Sequence, residues 1–192
     1  MNLTAELAAT AARLIVDEGL DYGAAKRKAA KGLGASSRQW PDNDTVEEAV
    51  REHLALFHAD TQPAELATLR AVARQWMQRL AEFRPHLTGS VWRGTATRLS
   101  VVQLSLYCDD SKAAEIALLN LGVRYDVNSA TDPRGQPVDV LVVTAPGGSS
   151  GEKVTLRLTI LDHDDLRGAL RADARGRKWC GDLDDLDQLT AP

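Results

Sequence analysis

The sequence predicts an α+β fold, with a helical module over residues 1–85 and a small mixed sheet, covered on one face by helices, over residues 86–192. Three observations predict it. Apolar residues recur at three- and four-residue steps as far as Phe83. From Leu99 onward they alternate every second residue. Glycines and prolines mark the borders of these segments.

Leu3, Leu7, Leu14 and Ile15 among alanines predict a first helix with a stop at Gly19. Asp21 is placed to cap a second helix from Tyr22 to Leu33, ended by Gly32 and Gly34. After the turn Trp40-Pro41-Asp42-Asn43-Asp44, Asp44 and Glu47 have the spacing of a capping box. The third helix then carries Val46, Val50, Leu54 and Phe57 on one face. Pro63 suits the first turn of a fourth, whose Leu66, Leu69, Val72, Ala73, Trp76, Met77, Leu80 and Phe83 form a stripe that stops before Pro85.

Leu99–Cys108 reads as a strand with Val102, Leu104 and Leu106 on one side and Val101, Gln103, Ser105 and Tyr107 on the other. Asp110 is placed to cap a short helix, Ser111–Leu121, closed by Gly122. Strands are predicted at Val123–Asn128, Val138–Ala145 and Val154–Leu161, separated by the turn Asp132-Pro133-Arg134-Gly135 and the loop from Pro146 to Gly151. Asp164 is positioned to cap a last helix to about Ala172, and an acidic tail follows. The alternating strands leave the second sheet face open or partly covered.

With 192 residues, 44% of them hydrophobic, the chain can bury a substantial core, and no apolar run is long enough to span a membrane. The start, Met1-Asn2-Leu3-Thr4, lacks a basic leader. Cys108 and Cys180 stand far apart, with no CxxC and no histidine spacing suited to zinc, and read as reduced thiols of a cytoplasmic protein. The net charge of −4 says little by itself. Its distribution gives a basic helix with Lys26, Arg27, Lys28 and Lys31, and a second basic stretch with Arg167, Arg171, Arg175, Arg177 and Lys178. Such blocks and the acidic tail are solvated surfaces, or can meet phosphates or each other, and the Lys26–Lys31 helix is the candidate contact for a nucleotide or RNA end.

Gly89-Ser90, Arg93-Gly94 and the strand running through Ser100-Val101-Val102-Gln103-Leu104-Ser105-Leu106 carry the strongest functional signal. Small residues let backbone N–H groups approach a polyphosphate, the Ser90 hydroxyl adds a donor, and Arg93 can pair with phosphate oxygens. Two residues apart on a strand, side chains share a face. Together these residues resemble the polymerase-beta-type nucleotidyltransferase superfamily over about residues 87–145. That resemblance implies the superfamily's fold, phosphates gripped at the Gly-Ser turn, and a strand whose Asp-x-Asp pair holds Mg²⁺. Here Val101 and Gln103 occupy the two acid positions. Valine offers no ligand and an amide is a poor anchor for a hard cation.

The resemblance therefore implies a degenerate member. It would bind a nucleotide or phosphate-bearing ligand at Gly89, Ser90 and Arg93, with Gln103 and Arg157 facing the same surface and no metal or other cofactor. An active transferase would need relocated acids, for which Asp139, Asp162 and His163 are the candidates, and Mg²⁺ would enter only with them. The third reading is a structural protein that presents the open sheet face to a protein partner or to a second copy. The remaining histidines, His53, His58 and His86, read as isolated and solvent-facing. Trp40, Trp76 and Phe83 read as core anchors, and Trp92 is also a candidate floor for a base pocket. Phosphate-gripping GxxxxGK[ST], dinucleotide GxGxxG, HExxH and GxSxG motifs do not occur.

Overall fold

The computed structural model describes residues 2–132, 134–147, 151–173 and 176–191. Pro133, Gly148, Ser149, Ser150 and Arg175, named above in turns and in the basic stretch, lie outside the described residues. The chain forms two compact units, Met1–Leu66 with Thr95–Ser100, and Ala67–Gly94 with Val101–Pro192.

In the first unit α1 (Leu3–Glu18), α2 (Tyr22–Leu33) and α3 (Asn43–Phe57) share one core. Ala11, Ala12, Ala25 and Ala29 have almost no exposure, which permits close helix approach, and Leu7, Leu14, Val46, Val50 and Leu54 fill the rest. Gly19 ends α1 in the left-handed region at φ +69°, and a Cβ there would lie 3.1 Å from Leu99 Cβ. Asp21 caps α2 by accepting the Ala24 N–H at 2.7 Å.

The start of α3 corrects the expected capping box. Asp42, not Asp44, caps the helix by accepting the Thr45 N–H at 2.7 Å. Asp44 lies in the first turn, where the helix dipole favours an acid. Phe57 does not join the buried face: it is 69% exposed at the last helical position, its ring 4.7 Å from that of His53. The histidines differ from expectation as well. His53 and His58 both turn an Nε2 toward Asp17 Oδ1, at 3.5 Å each. His86 is buried, with Nδ1 2.8 Å from the Arg84 carbonyl oxygen and its ring edge-on to Tyr107.

The fourth helix, α4 (Gln62–Arg79), begins in the first unit and continues into the second, where Leu69, Val72, Ala73, Trp76 and Met77 are buried. It stops earlier than its stripe suggests. A 3-10 turn at Ala81–Phe83 and Arg84 at φ +46° deliver Phe83 to the core and lead the chain into the sheet.

That sheet contains β1 (His86–Thr88), β2 (Val102–Tyr107), β3 (Tyr125–Thr131), β4 (Pro137–Gly147), β5 (Glu152–Leu161) and β6 (Cys180–Gly181), in the order β3-β4-β5-β2-β1-β6. β2 and β5 are parallel, and the other pairs are antiparallel. Four helices accompany the strands: α5 (Gly89–Arg93), α6 (Ser111–Asn120), α7 (Asp165–Ala169) and α8 (Leu183–Thr190). A parallel pair requires a crossover, supplied here by α6 and the β3–β4 hairpin.

Register assigns each side chain a face. Leu87, Leu104, Leu158 and Leu141 form one row across four strands, all essentially without exposure. Tyr125, on this same face, donates its hydroxyl to Glu115 of α6 at 2.9 Å, which places α6 over the apolar side. Asp110 caps α6 through the Lys112 N–H at 2.9 Å.

Three corrections concern ends. β1 is too short for alternation to reveal. α7 stops at Ala169, and Asp164 holds its N-cap position without a side-chain bond. The acidic tail is not merely a solvated end: Asp182 caps α8 through the Asp185 N–H at 2.9 Å, and Leu186 is buried.

Candidate functional site

At the end of β1 the chain must turn sharply into α5, and Gly89 does so at φ +69°. The left-handed angle favours glycine, and a Cβ at this position would lie 3.1 Å from Gln103 Cδ, pressing on the amide. Gln103 thus lies against the Gly89 corner. Thr88 pairs with Gln103, Gln103 with Arg157, Arg157 with Val142, and Val142 with Asp126, giving one row across β1, β2, β5, β4 and β3. The neighbouring row carries Ser105, Thr159 and Val140, and further toward the start of β5 come Thr155 beside Thr144 and Lys153 beside Pro146.

The charge of this face follows from the register. Its residues from β1 are His86 and Thr88, from β2 Gln103, Ser105 and Tyr107, from β4 Val138, Val140, Val142, Thr144 and Pro146, and from β5 Lys153, Thr155, Arg157, Thr159 and Leu161. β3 adds Asp126, Asn128 and Ala130, paired with Val142, Val140 and Val138, so the one carboxylate these five strands put there is the exposed Asp126 on β3. Lys153, Thr155 and Arg157 are exposed, while Gln103, Ser105 and Thr159 are half-buried. Around Gln103 and Arg157 such a surface offers hydroxyl, amide and guanidinium donors to an anion, and its single strand carboxylate, Asp126, is too few to clamp a pair of Mg²⁺ ions.

The other expected ligands divide. Ser90 is the second residue of α5 and half-buried. Arg93, at the end of α5, places its guanidinium 4.2 Å from the centre of the Trp179 ring, and Arg177 approaches the same ring at 5.7 Å. Trp92 does not floor a pocket beside Gln103. Its ring packs where a Gly181 side chain would be, on the Leu87 face, and its Nε1 donates to the Lys178 carbonyl at 3.0 Å. Val101 precedes β2 and is half-buried.

Asp139 and Asp162 are not at the Gly89 corner. Asp139 pairs with Ser129 on the opposite sheet face, and Asp162 follows the far end of β5. They meet elsewhere, lining a cleft of about 280 Å³ with Cys108, Asp109, Ser111, Asp132, Arg134 and Asp165. This cleft lies at the carboxyl ends of the parallel strands β2 and β5. Arg134 pairs there with Asp132 and Asp165. The Gln136 N–H and then Arg134 hold the Asp132 carboxyl below its usual range. Burial, followed by Asp110, Asp109 and Asp162, pushes the Cys108 thiol up, so it is protonated and a poor nucleophile near neutral pH. His163 is exposed, and its backbone N–H points at Asp109 Oδ1 from 3.5 Å.

The basic helix is partly engaged within its own unit. Lys26 Nζ donates to Asn43 Oδ1 at 2.8 Å, and Lys28 pairs with Glu18 at 2.5 Å, while Arg27 and Lys31 are exposed. Among the described residues, three candidate metal-ligand atoms converge within 4.8 Å of one another at Asp17, His53 and His58, and not at the Gly89 corner or in the cleft. No helix among the described residues is long and apolar enough to cross a membrane. Comparison with protein-family models, with curated proteins and with solved structures gave no match.

Proposed function

We propose that the Gly89 corner, with Ser90, Gln103 and Arg157, receives the phosphates of a nucleotide or another phosphate-bearing ligand without a bridging metal. On this reading the chain is nucleotidyltransferase-like and does not transfer the nucleotide. The observation that carries it is that an amide and a guanidinium, Gln103 and Arg157, stand beside the glycine corner, while the one strand carboxylate on their face, Asp126, lies two strands beyond Arg157 on β3. Two-metal transfer requires acids that clamp cations on the attacking and leaving oxygens. Here the position beside the glycine corner carries an amide, and its strand neighbour carries a fixed positive charge. A guanidinium–phosphate contact contributes roughly 1.5–3 kcal/mol, enough for weak binding with help from neighbouring donors.

Relocated acids gain no support from position, because Asp139 and Asp162 line the cleft at the other end of the β2–β5 pair. The test is calorimetric titration of the full chain with a nucleoside triphosphate, once with Mg²⁺ and once with chelator. The reading predicts micromolar-to-millimolar affinity in both. Affinity that disappears with chelator, or no binding in either buffer, refutes it.

A further inference from the structure

The first unit contains a cluster that the phosphate reading does not use. Asp17 sits in the last turn of α1, His53 in the last turns of α3, and His58 is the residue that caps α3. One Asp17 oxygen lies 3.5 Å from Nε2 of His53 and 3.5 Å from Nε2 of His58. The ligand atoms of all three lie within 4.8 Å of one another, and the two imidazole centres are 5.8 Å apart.

The two carboxylate–imidazole separations suit an ion better than direct hydrogen bonds. A tetrahedral ion with bonds of about 2.0–2.2 Å sets its ligand atoms roughly 3.3–3.5 Å apart. Strong N–H···O bonds are shorter, about 2.7–3.2 Å. The electrostatics also favour a cation. The C-terminal ends of α1 and α3 both point into this region, and neither helix has a basic residue in its last turn to offset the negative end of its dipole. Glu18, the next acid along, is taken by Lys28. The imidazoles are sheltered, with side-chain exposures of 16% for His53 and 32% for His58.

We infer that Asp17, His53 and His58 form a binding site for a divalent transition-metal ion of the Zn²⁺ type, joining the C-terminal turns of α1 and α3. Two imidazole nitrogens and one carboxylate oxygen match a borderline ion, whereas Mg²⁺ and Ca²⁺ favour oxygen-only sets. Three protein ligands leave a fourth position for water or another donor. The ligands come from separate helices and from i, i+5 positions, so no linear metal motif marks them. Because the ion binds only the folded arrangement, it stabilises the first unit.

The test uses the whole 192-residue chain without a tag, stripped with chelator, dialysed and titrated with Zn²⁺ by calorimetry. One ion per chain should bind with micromolar or tighter affinity, and Mg²⁺ should not compete. Asp17→Asn and His58→Ala should each weaken binding at least tenfold and abolish the zinc-dependent rise in Tm, with circular dichroism confirming that both variants fold. Glu18→Gln, one residue outside the cluster, should keep the affinity. Absence of saturable uptake by the unmodified chain, or equal affinity in Asp17→Asn and His58→Ala, would overturn the assignment.

Discussion

Gln103 and Arg157 are register partners across the parallel β2–β5 ladder, so their side chains leave the sheet on the same face. Any carboxylate introduced at residue 103 would therefore have a guanidinium as its strand neighbour. Gln103→Asp is expected to leave the chain indifferent to Mg²⁺, since the new acid pairs with Arg157 and a single monodentate oxygen is a weak anchor. Thermal melts of the variant with and without Mg²⁺ check this: the two midpoints should coincide.

Gly89→Ala should destabilise the second unit. The left-handed backbone costs an L-residue about 1–2 kcal/mol, and the added methyl presses on the Gln103 amide. Urea denaturation measures the loss, and weaker nucleotide binding should accompany it because the amide has moved. A variant as stable as the original would mean that the corner does not hold this conformation.

Asp42→Ala should cost about 1 kcal/mol by removing the acceptor of the Thr45 N–H. Asp42→Asn keeps an oxygen there and should recover most of it. Comparison of the two midpoints in denaturant separates capping from charge.

Alkaline pH should weaken the fold through Tyr107. Burial first, and the neighbouring Cys180 next, push its phenol up to about 12. The folded value stands above the unfolded one of about 10, so this contribution is complete below about pH 10 and is lost as pH rises toward 12. Denaturation series between pH 9 and 11 should fall less steeply for Tyr107→Phe than for the unmodified chain.

The helices and the long strands were legible because their patterns are long. Ala-rich α1, the stripe of α4, the apolar run of β4 and the alternation in β5 each extend over several turns or residue pairs. The change to a sheet was legible for the same reason. β1 and β6 have only three and two residues and are fixed by partners distant in sequence. The polar side of the sheet could be read in part: alternation put Gln103, Ser105 and Tyr107 together. Only the pairing register brought Arg157 beside Gln103 and sent Asp139 to the other face. The Asp17 cluster was hidden because Asp17 lies on another helix, and His53 and His58 carry no recognisable spacing.

Displacement of a fluorescent nucleoside triphosphate from the full chain in chelator, compared between the unmodified protein and Arg157→Ala, tests the phosphate reading most directly. Removing one charge-assisted contact of about 1.5–3 kcal/mol should weaken binding roughly tenfold or more, with no change when Mg²⁺ is restored. Equal affinity in the two proteins, or affinity that appears only with Mg²⁺, would contradict it.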